Sequence, residues 1–144
     1  MCFMNDFQNL DCINLILREL YRNPKFFSDL NIDSKLYLKK IDKYASFEKC
    51  YVDNTLAGIV AYYCNNLESK EAFVTLVLVD DDFRGLGIAQ KLMNKVIDII
   101  RSKEFTKCTL EVSLKKPQVI RLYEKLNYVE THRNADSAFM SVLV

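Results

Sequence analysis

The stretch 74–93, VTLVLVDDDFRGLGIAQKLM, decides the fold of this chain. An apolar run (Val74, Leu76, Val77, Leu78, Val79) predicts a strand, and three acids (Asp80, Asp81, Asp82) end it. Arg84-Gly85-Leu86-Gly87-Ile88-Ala89 follows and opens an amphipathic helical pattern. Two of the chain's three glycines lie in this turn. Glycine lets a backbone pass close to another group. A helix start just beyond it offers free N–H groups and the positive end of the dipole. Together these make an anion site, most often for phosphate.

Outward from that turn, the totals set limits. A length of 144 residues suits a single domain, 1–144, able to build a core without disulfide staples. With Lys+Arg 20 against Asp+Glu 19 the net charge is +1, which gives no support for a nucleic-acid partner. Five cysteines without C-x-x-C spacing and one histidine argue against a zinc site, and no metal is expected. They read as free thiols of a reducing cytosol. The first residues show no signal-peptide pattern and no run is long enough to span a bilayer, so the expected location is cytoplasmic with no membrane partner.

In chain order, residues 9–22 carry helical spacing and Asn23-Pro24 stops it. The segment 25–32 reads as a loop whose Phe26 and Phe27 either tuck into the core or line a substrate mouth. Asp33 caps a second helix through 43. Strands are expected at 46–52, 55–64 and 72–79, with a hairpin turn at Asp53-Asn54. Gly58 inside the second strand signals a bulge or a close backbone approach. The three form an antiparallel meander. The helix after the glycine turn has a stripe of Ile88, Ala89, Leu92, Met93, Val96, Ile97 and Ile100. A strand at 105–112 can then lie parallel to 72–79 through a right-handed crossover. Pro117 opens a further helix carrying Val119, Leu122, Tyr123 and Leu126, and Asn127 ends it in the left-handed role. Strands at 128–132 and 138–144 close the chain.

Three phosphate-binding patterns compete for the turn. The P-loop pattern G-x-x-x-x-G-K-[S/T] is absent. A Rossmann fingerprint fails because Gln90 stands at its third glycine and the preceding strands read as antiparallel. The pattern [Q/R]-x-x-G-x-[G/A] is matched by Arg84 through Ala89. With it, VLVDDDFRGLGIAQKLM and, a strand and a helix later, LEVSLKKPQVIRLYEKLNYVE resemble the two signatures of the GCN5-related N-acetyltransferases, in the same order and spacing.

That resemblance implies an α/β (α+β) fold. Its central sheet is mixed and mostly antiparallel, with six to seven strands and about four helices on both faces, splayed between the family's fourth and fifth strands. It implies acetyl-CoA as cosubstrate. Backbone groups of Val77, Leu78 and Val79 would hold the pantetheine, and Arg84, Gly85, Leu86, Gly87, Ile88 and Ala89 the diphosphate. Tyr123, at the tyrosine of the LYEK signature, would be the general acid for the leaving thiolate; its spacing alone equally fits a core aromatic. For the base, Glu71 is a candidate that shares strand parity with Phe73, Thr75 and Val77. Glu111, the acids Asp80 to Asp82 and proton loss through water are the alternatives, and His132 reads as structural. Two departures stand out. Lys116 replaces the signature asparagine, with Val119 at the following alanine position, and it can still reach the cofactor. Asn127 replaces the glycine before the final aromatic, Tyr128. The expected function is transfer of acetyl to a primary amine of a small molecule, an amino sugar among the candidates, by direct attack in a monomer or homodimer. The alternative is an acyl-CoA-binding module of the same fold without turnover.

Overall fold

The computed structural model describes residues 7–26 and 33–144. Within them the order is α1 (Leu10–Arg22), α2 (Ser34–Tyr44), β1 (Ser46–Val52), β2 (Thr55–Tyr63), β3 (Glu71–Val79), a single 3-10 turn (Asp81–Phe83), α3 (Ile88–Ser102), β4 (Lys107–Ser113), α4 (Pro117–Lys125), β5 (Val129–Arg133) and β6 (Ser137–Leu143). The described strands form one sheet of order β1-β2-β3-β4-β6-β5. Every pairing is antiparallel except β3–β4. The mixed, mostly antiparallel sheet with four helices matches the expected fold class. The one parallel pair, β3 and β4, stands where the resemblance puts the family's fourth and fifth strands.

Helices cover both faces. On one, Ile88, Leu92, Met93, Val96 and Ile100 of α3 and Tyr123 of α4 pack on Val60, Val74, Leu110 and Met140. On the other, Ile13, Leu15 and Ile16 of α1 and Leu38 and Ile41 of α2 pack on Ile59, Ala61, Leu76 and Leu78. Gly58 fulfils both of its expected readings. The β1–β2 register slips opposite it, and a Cβ there would stand 2.9 Å from Ile88 Cγ2 and 3.3 Å from Leu92 Cδ1, so its absence lets α3 sit down on β2.

Local signals were obeyed closely. The Asp53-Asn54 hairpin has positive φ at both residues, 48° and 66°, as the tight primed turn needs. Asp33 caps α2 by accepting the Leu36 N–H at 3.1 Å. At the end of α4, Asn127 takes φ 72°. The Tyr128 N–H then bonds the Tyr123 carbonyl at 3.0 Å and the Asn127 N–H bonds that of Glu124, a Schellman ending. The same ending closes α3 through Glu104, and it moves one boundary. Phe105 N–H bonds the Ile100 carbonyl at 3.1 Å, so Phe105 belongs to the helix ending and β4 starts at Lys107. One tie gave no sequence signal. The buried Asp42 carboxylate accepts the N–H groups of Gln8 and Asn9 at 2.8 and 2.7 Å, fastening α2 to the start of α1.

Candidate active site

The site begins where β3 and β4 part. Their parallel ladder holds only four pairs, from Glu71–Lys107 to Val74–Leu110. Beyond it, Thr75 to Val79 on one strand and Glu111 to Ser113 on the other face a gap. On the other side of β3, the register with β2 slips between Ala61–Leu76 and Tyr62–Val74, leaving Thr75 as an extra residue, a β-bulge. The bulge reverses the faces. Ala72 and Val74 lie in the α3/α4 core, whereas Leu76 and Leu78 lie in the α1/α2 core. This corrects one expectation: Glu71 shares a face with Phe73 but not with Val77. A strand apolar on both faces hides such a slip.

Main-chain direction follows from the same alternation. Asp80 N–H bonds the Ala57 carbonyl of β2 at 2.8 Å. Alternate residues of a strand point their N–H and C=O the same way. Leu78 and Leu76 are therefore turned to β2, and Val77 and Val79 to the gap. The Val79 carbonyl is indeed reached from the gap side by Arg84 Nε at 3.1 Å. Of Val77, Leu78 and Val79, it is Val77 and Val79 that offer main-chain groups to a ligand there.

At the mouth of the gap lies the glycine turn. Gly85 and Gly87 have φ of 81° and 76°, and among the described residues, chain neighbours aside, a Cβ on either would meet no atom within 4 Å. The glycines thus serve the backbone conformation and leave open space. Gly87 caps α3, whose first internal bond is Lys91 N–H to the Gly87 carbonyl. The N–H groups of Ile88, Ala89 and Gln90 are left off the helix end. Ile88 is buried under the turn and Leu86 is exposed.

The Arg84 side chain is engaged within the protein. It bonds both oxygens of the buried Glu19 carboxylate at 3.1 and 3.0 Å and pairs with Asp81 at 2.6 Å. Beside it, Arg18 and Arg22 of α1 hold the buried Asp80 at 3.2 and 3.5 Å. Three arginines and three carboxylates thus cancel across α1 and the turn. Asp80 and Asp81 ahead of the turn are thus neutralised, and the α3 N-terminus keeps its own positive field.

This network makes stability pH-dependent. Burial pushes the Asp80 carboxyl up, but the Asp82 N–H and the Arg22 and Arg18 guanidiniums outweigh it and hold the group below its ordinary value. At Asp11, burial is likewise outweighed by hydrogen bonds from Lys49 and Tyr51, and the carboxyl falls to about 2. Folded values below the unfolded one of about 3.9 add stability above that pH, and it is lost as pH falls through the folded values. The urea midpoint is expected to stay flat from about pH 7 to 5 and to drop below about pH 4, with a shallower drop in Asp80→Asn.

A cleft of about 370 Å³ joins these parts, lined among others by Val77, Val79, Arg84, Ala89, Lys116 and Tyr123. A larger groove of about 580 Å³ lies between α4 and β5, away from the gap and the turn. Tyr123 is 6% exposed, and burial pushes its phenol well above the ordinary range. Among the described residues its hydroxyl has no hydrogen-bond partner, which leaves it for a ligand. Since α4 runs back from the mouth, Tyr123 stands about 9 Å deeper than Pro117. Lys116 is the N-cap of α4, with Nζ 5.5 Å from the centre of the Phe26 ring. Phe26 lines the cleft and also packs against the α1/α2 core, so it meets both of its readings; Phe27 lies outside the described residues.

The candidate bases separate. Glu71 sits at the paired end of β3, about 26 Å along the strand from Val79, and accepts the Thr109 hydroxyl at 2.6 Å. Glu111 follows the last β3–β4 pair directly, at the apex of the gap, and is exposed. It lies on the α1/α2 face, opposite Tyr123, since Leu110 and Val112 point to the α3/α4 core. Asp80 and Asp81 are bound to arginines. His132 stacks on Phe139 with centroids 4.3 Å apart.

A family model described as the acetyltransferase (GNAT) family matches residues 14–128. The chain belongs to this family. An uncharacterised N-acetyltransferase of Methanocaldococcus jannaschii is 34% identical over 88 residues, a match covering 58% of this chain and 39% of that protein. The ribosomal-protein-S18-alanine N-acetyltransferase of Escherichia coli superposes with a TM-score of 0.69 at 20% identity, over 78% of this chain and 77% of that one. A family member from Elizabethkingia anophelis, solved with acetyl-CoA bound, gives 0.69 at 14% identity over 76% and 83%. The PaiA N-acetyltransferase of Thermoplasma acidophilum, solved with coenzyme A, gives 0.65 at 17% identity over 93% and 79%. At these identities the likeness is one of fold.

Within this family member, Glu19, Arg18, Arg22, Tyr37 and Thr75 shape the site without having been singled out by sequence. For Glu19 a signal existed. It stands three and four residues after Ile16 and Leu15, on the buried stripe of α1, where a carboxylate needs a cationic partner.

Proposed function

We propose that this chain moves an acetyl group from acetyl-CoA to the primary amine of a small molecule by direct attack. The observation that carries this reading is the β3–β4 gap. It ends in a glycine turn at a helix N-terminus and has Tyr123 and Glu111 on its opposite faces. The diphosphate would take the N–H groups from Gly87 to Gln90, with the Lys116 ammonium at the same mouth. The pantetheine would run down the gap along Val77 and Val79, bringing the thioester to the depth of Tyr123.

The amine then enters from the Glu111 face. Once the ammonium has given one proton to solvent, its nitrogen bonds the thioester carbon, and the Val77 N–H, closer than that of Val79 to the depth of Tyr123, receives the oxyanion. The C–S bond breaks and the thiolate takes the Tyr123 proton, which the phenol regains from solvent through the cleft when coenzyme A leaves. The proton lost by the amine passes to Glu111 and on to solvent. Glu71, farther down the ladder and held by Thr109, supports the charge of this face; the two carboxylates favour a cationic acceptor such as an amino sugar.

The test is acceptor-dependent thiol release over a panel of amino sugars, aliphatic diamines and short peptides with free N-termini. Release with a small amine supports the reading, and peptide-only release reassigns the acceptor. Saturable acetyl-CoA binding without release by any amine indicates the binding module instead. Glu111→Gln is expected to lower kcat about tenfold with the acetyl-CoA KM unchanged, a modest loss because water can also carry the proton.

A further inference from the structure

We infer that Tyr37, on α2, is a positioning residue of the transfer reaction, acting through the bulge at Thr75; the inference rests on the function proposed above. The Tyr37 hydroxyl donates to the Thr75 carbonyl at 2.9 Å. Its oxygen lies 2.8 Å from Thr75 Oγ1, which donates in return. Thr75 is the residue that the β3–β2 register skips between two paired residues, Val74 and Leu76, and it comes directly after the last β3–β4 pair. A side chain from another element thus grips the main chain at the point where the gap opens.

The bulge sets the phase of everything beyond it. With Thr75 as the extra residue, Leu76 and Leu78 pack into the α1/α2 core and the main-chain groups of Val77 and Val79 face the gap. A slip of one residue exchanges the two sets, as any register slip in a strand does. Leu76 and Leu78 would then present their amides to the gap, and the Val77 N–H would be spent on β2. The flanking residues do not forbid that slip strongly, because β3 is apolar on both faces. Burial removes the Tyr37 hydroxyl from water and pushes it up to about 12, so it remains a donor throughout the working range. Through α2, a helix on the face from which the acceptor enters, the donor geometry is held from the acceptor side.

The test compares wild type, Tyr37→Phe and Thr75→Val by kcat and KM, thermal melting and amide NMR with acetyl-CoA. Tyr37→Phe keeps the ring and loses the grip on the carbonyl. It is expected to lower kcat/KM for acetyl-CoA about tenfold and to abolish the acetyl-CoA-induced shift of the Val77 amide. Thr75→Val keeps the carbonyl bond and is expected to show a smaller loss of the same kind. Wild-type turnover together with a wild-type Val77 shift in Tyr37→Phe overturns the inference, whatever the melting temperature does. Should Tyr37→Phe not fold, the same result in Thr75→Val overturns it. A wild-type protein that does not bind acetyl-CoA overturns the proposed function and this inference with it; wild-type behaviour confined to the variants overturns this inference alone.

Discussion

Gly87→Val is expected to weaken acetyl-CoA binding by about 100-fold, or ~2.7 kcal/mol, in a protein that still folds. The residue caps α3 at φ 76°, a conformation that costs a residue with a Cβ about 1–2 kcal/mol. Among the described residues, chain neighbours aside, nothing lies within 4 Å of the added Cβ, so the backbone conformation is the main folding cost. The Cβ and its methyls would instead occupy the space before the N–H groups of Ile88, Ala89 and Gln90, where the diphosphate is proposed to sit. Charge-assisted bonds to those groups are among the stronger ones a ligand can make, and losing their alignment costs more than the strain. Calorimetric titration with acetyl-CoA beside a urea melt separates the two losses. Equal binding by the variant and wild type would show that the diphosphate lies elsewhere.

Tyr123→Phe is expected to lower kcat by about 100-fold while leaving the KM for acetyl-CoA nearly unchanged. The substitution keeps the ring, which packs beside Tyr128 with centroids 5.8 Å apart, and removes only the hydroxyl that faces the cleft. Burial raises this phenol above its ordinary value of about 10, so it carries its proton across the neutral range. Its deprotonation would then fall outside the working range, and the wild-type kcat is expected to show no alkaline fall up to about pH 9. Steady-state kinetics over pH 6 to 9 checks both statements. A phenylalanine variant with wild-type kcat would remove the acid role and leave Tyr123 as a core aromatic.

The parts of this molecule that were legible in the sequence are those written locally. Helical stripes, the Asp53-Asn54 turn, the Asp33 cap and the Asn127 ending each depend on residues within one or two turns of each other. The glycine turn belongs to the same class, since two positive φ values and a helix start all lie between Gly85 and Ile88. The α1 network is different in kind. Arg18, Glu19 and Arg22 meet Asp80 and Arg84 across 58 to 65 residues, and no spacing rule connects them. The bulge was hidden for another reason. A strand buried on both faces has no polar side to mark its phase, so alternation across Thr75 could not show the slip that separates Glu71 from Val77. The placement of the candidate bases was hidden in the same way. Parity favoured Glu71 along the strand, whereas pairing puts Glu111 at the apex of the gap.

The central claim is that acetyl-CoA lies in the β3–β4 gap with its diphosphate on the α3 N-terminus. A crystal structure with acetyl-CoA tests it most directly. The account predicts density running from the amides of Gly87 to Gln90, past the main chain of Val79 and Val77, to a sulfur within hydrogen-bonding reach of the Tyr123 hydroxyl. A cofactor bound in the groove between α4 and β5, or a gap that stays closed to it at saturating concentration, would contradict the account.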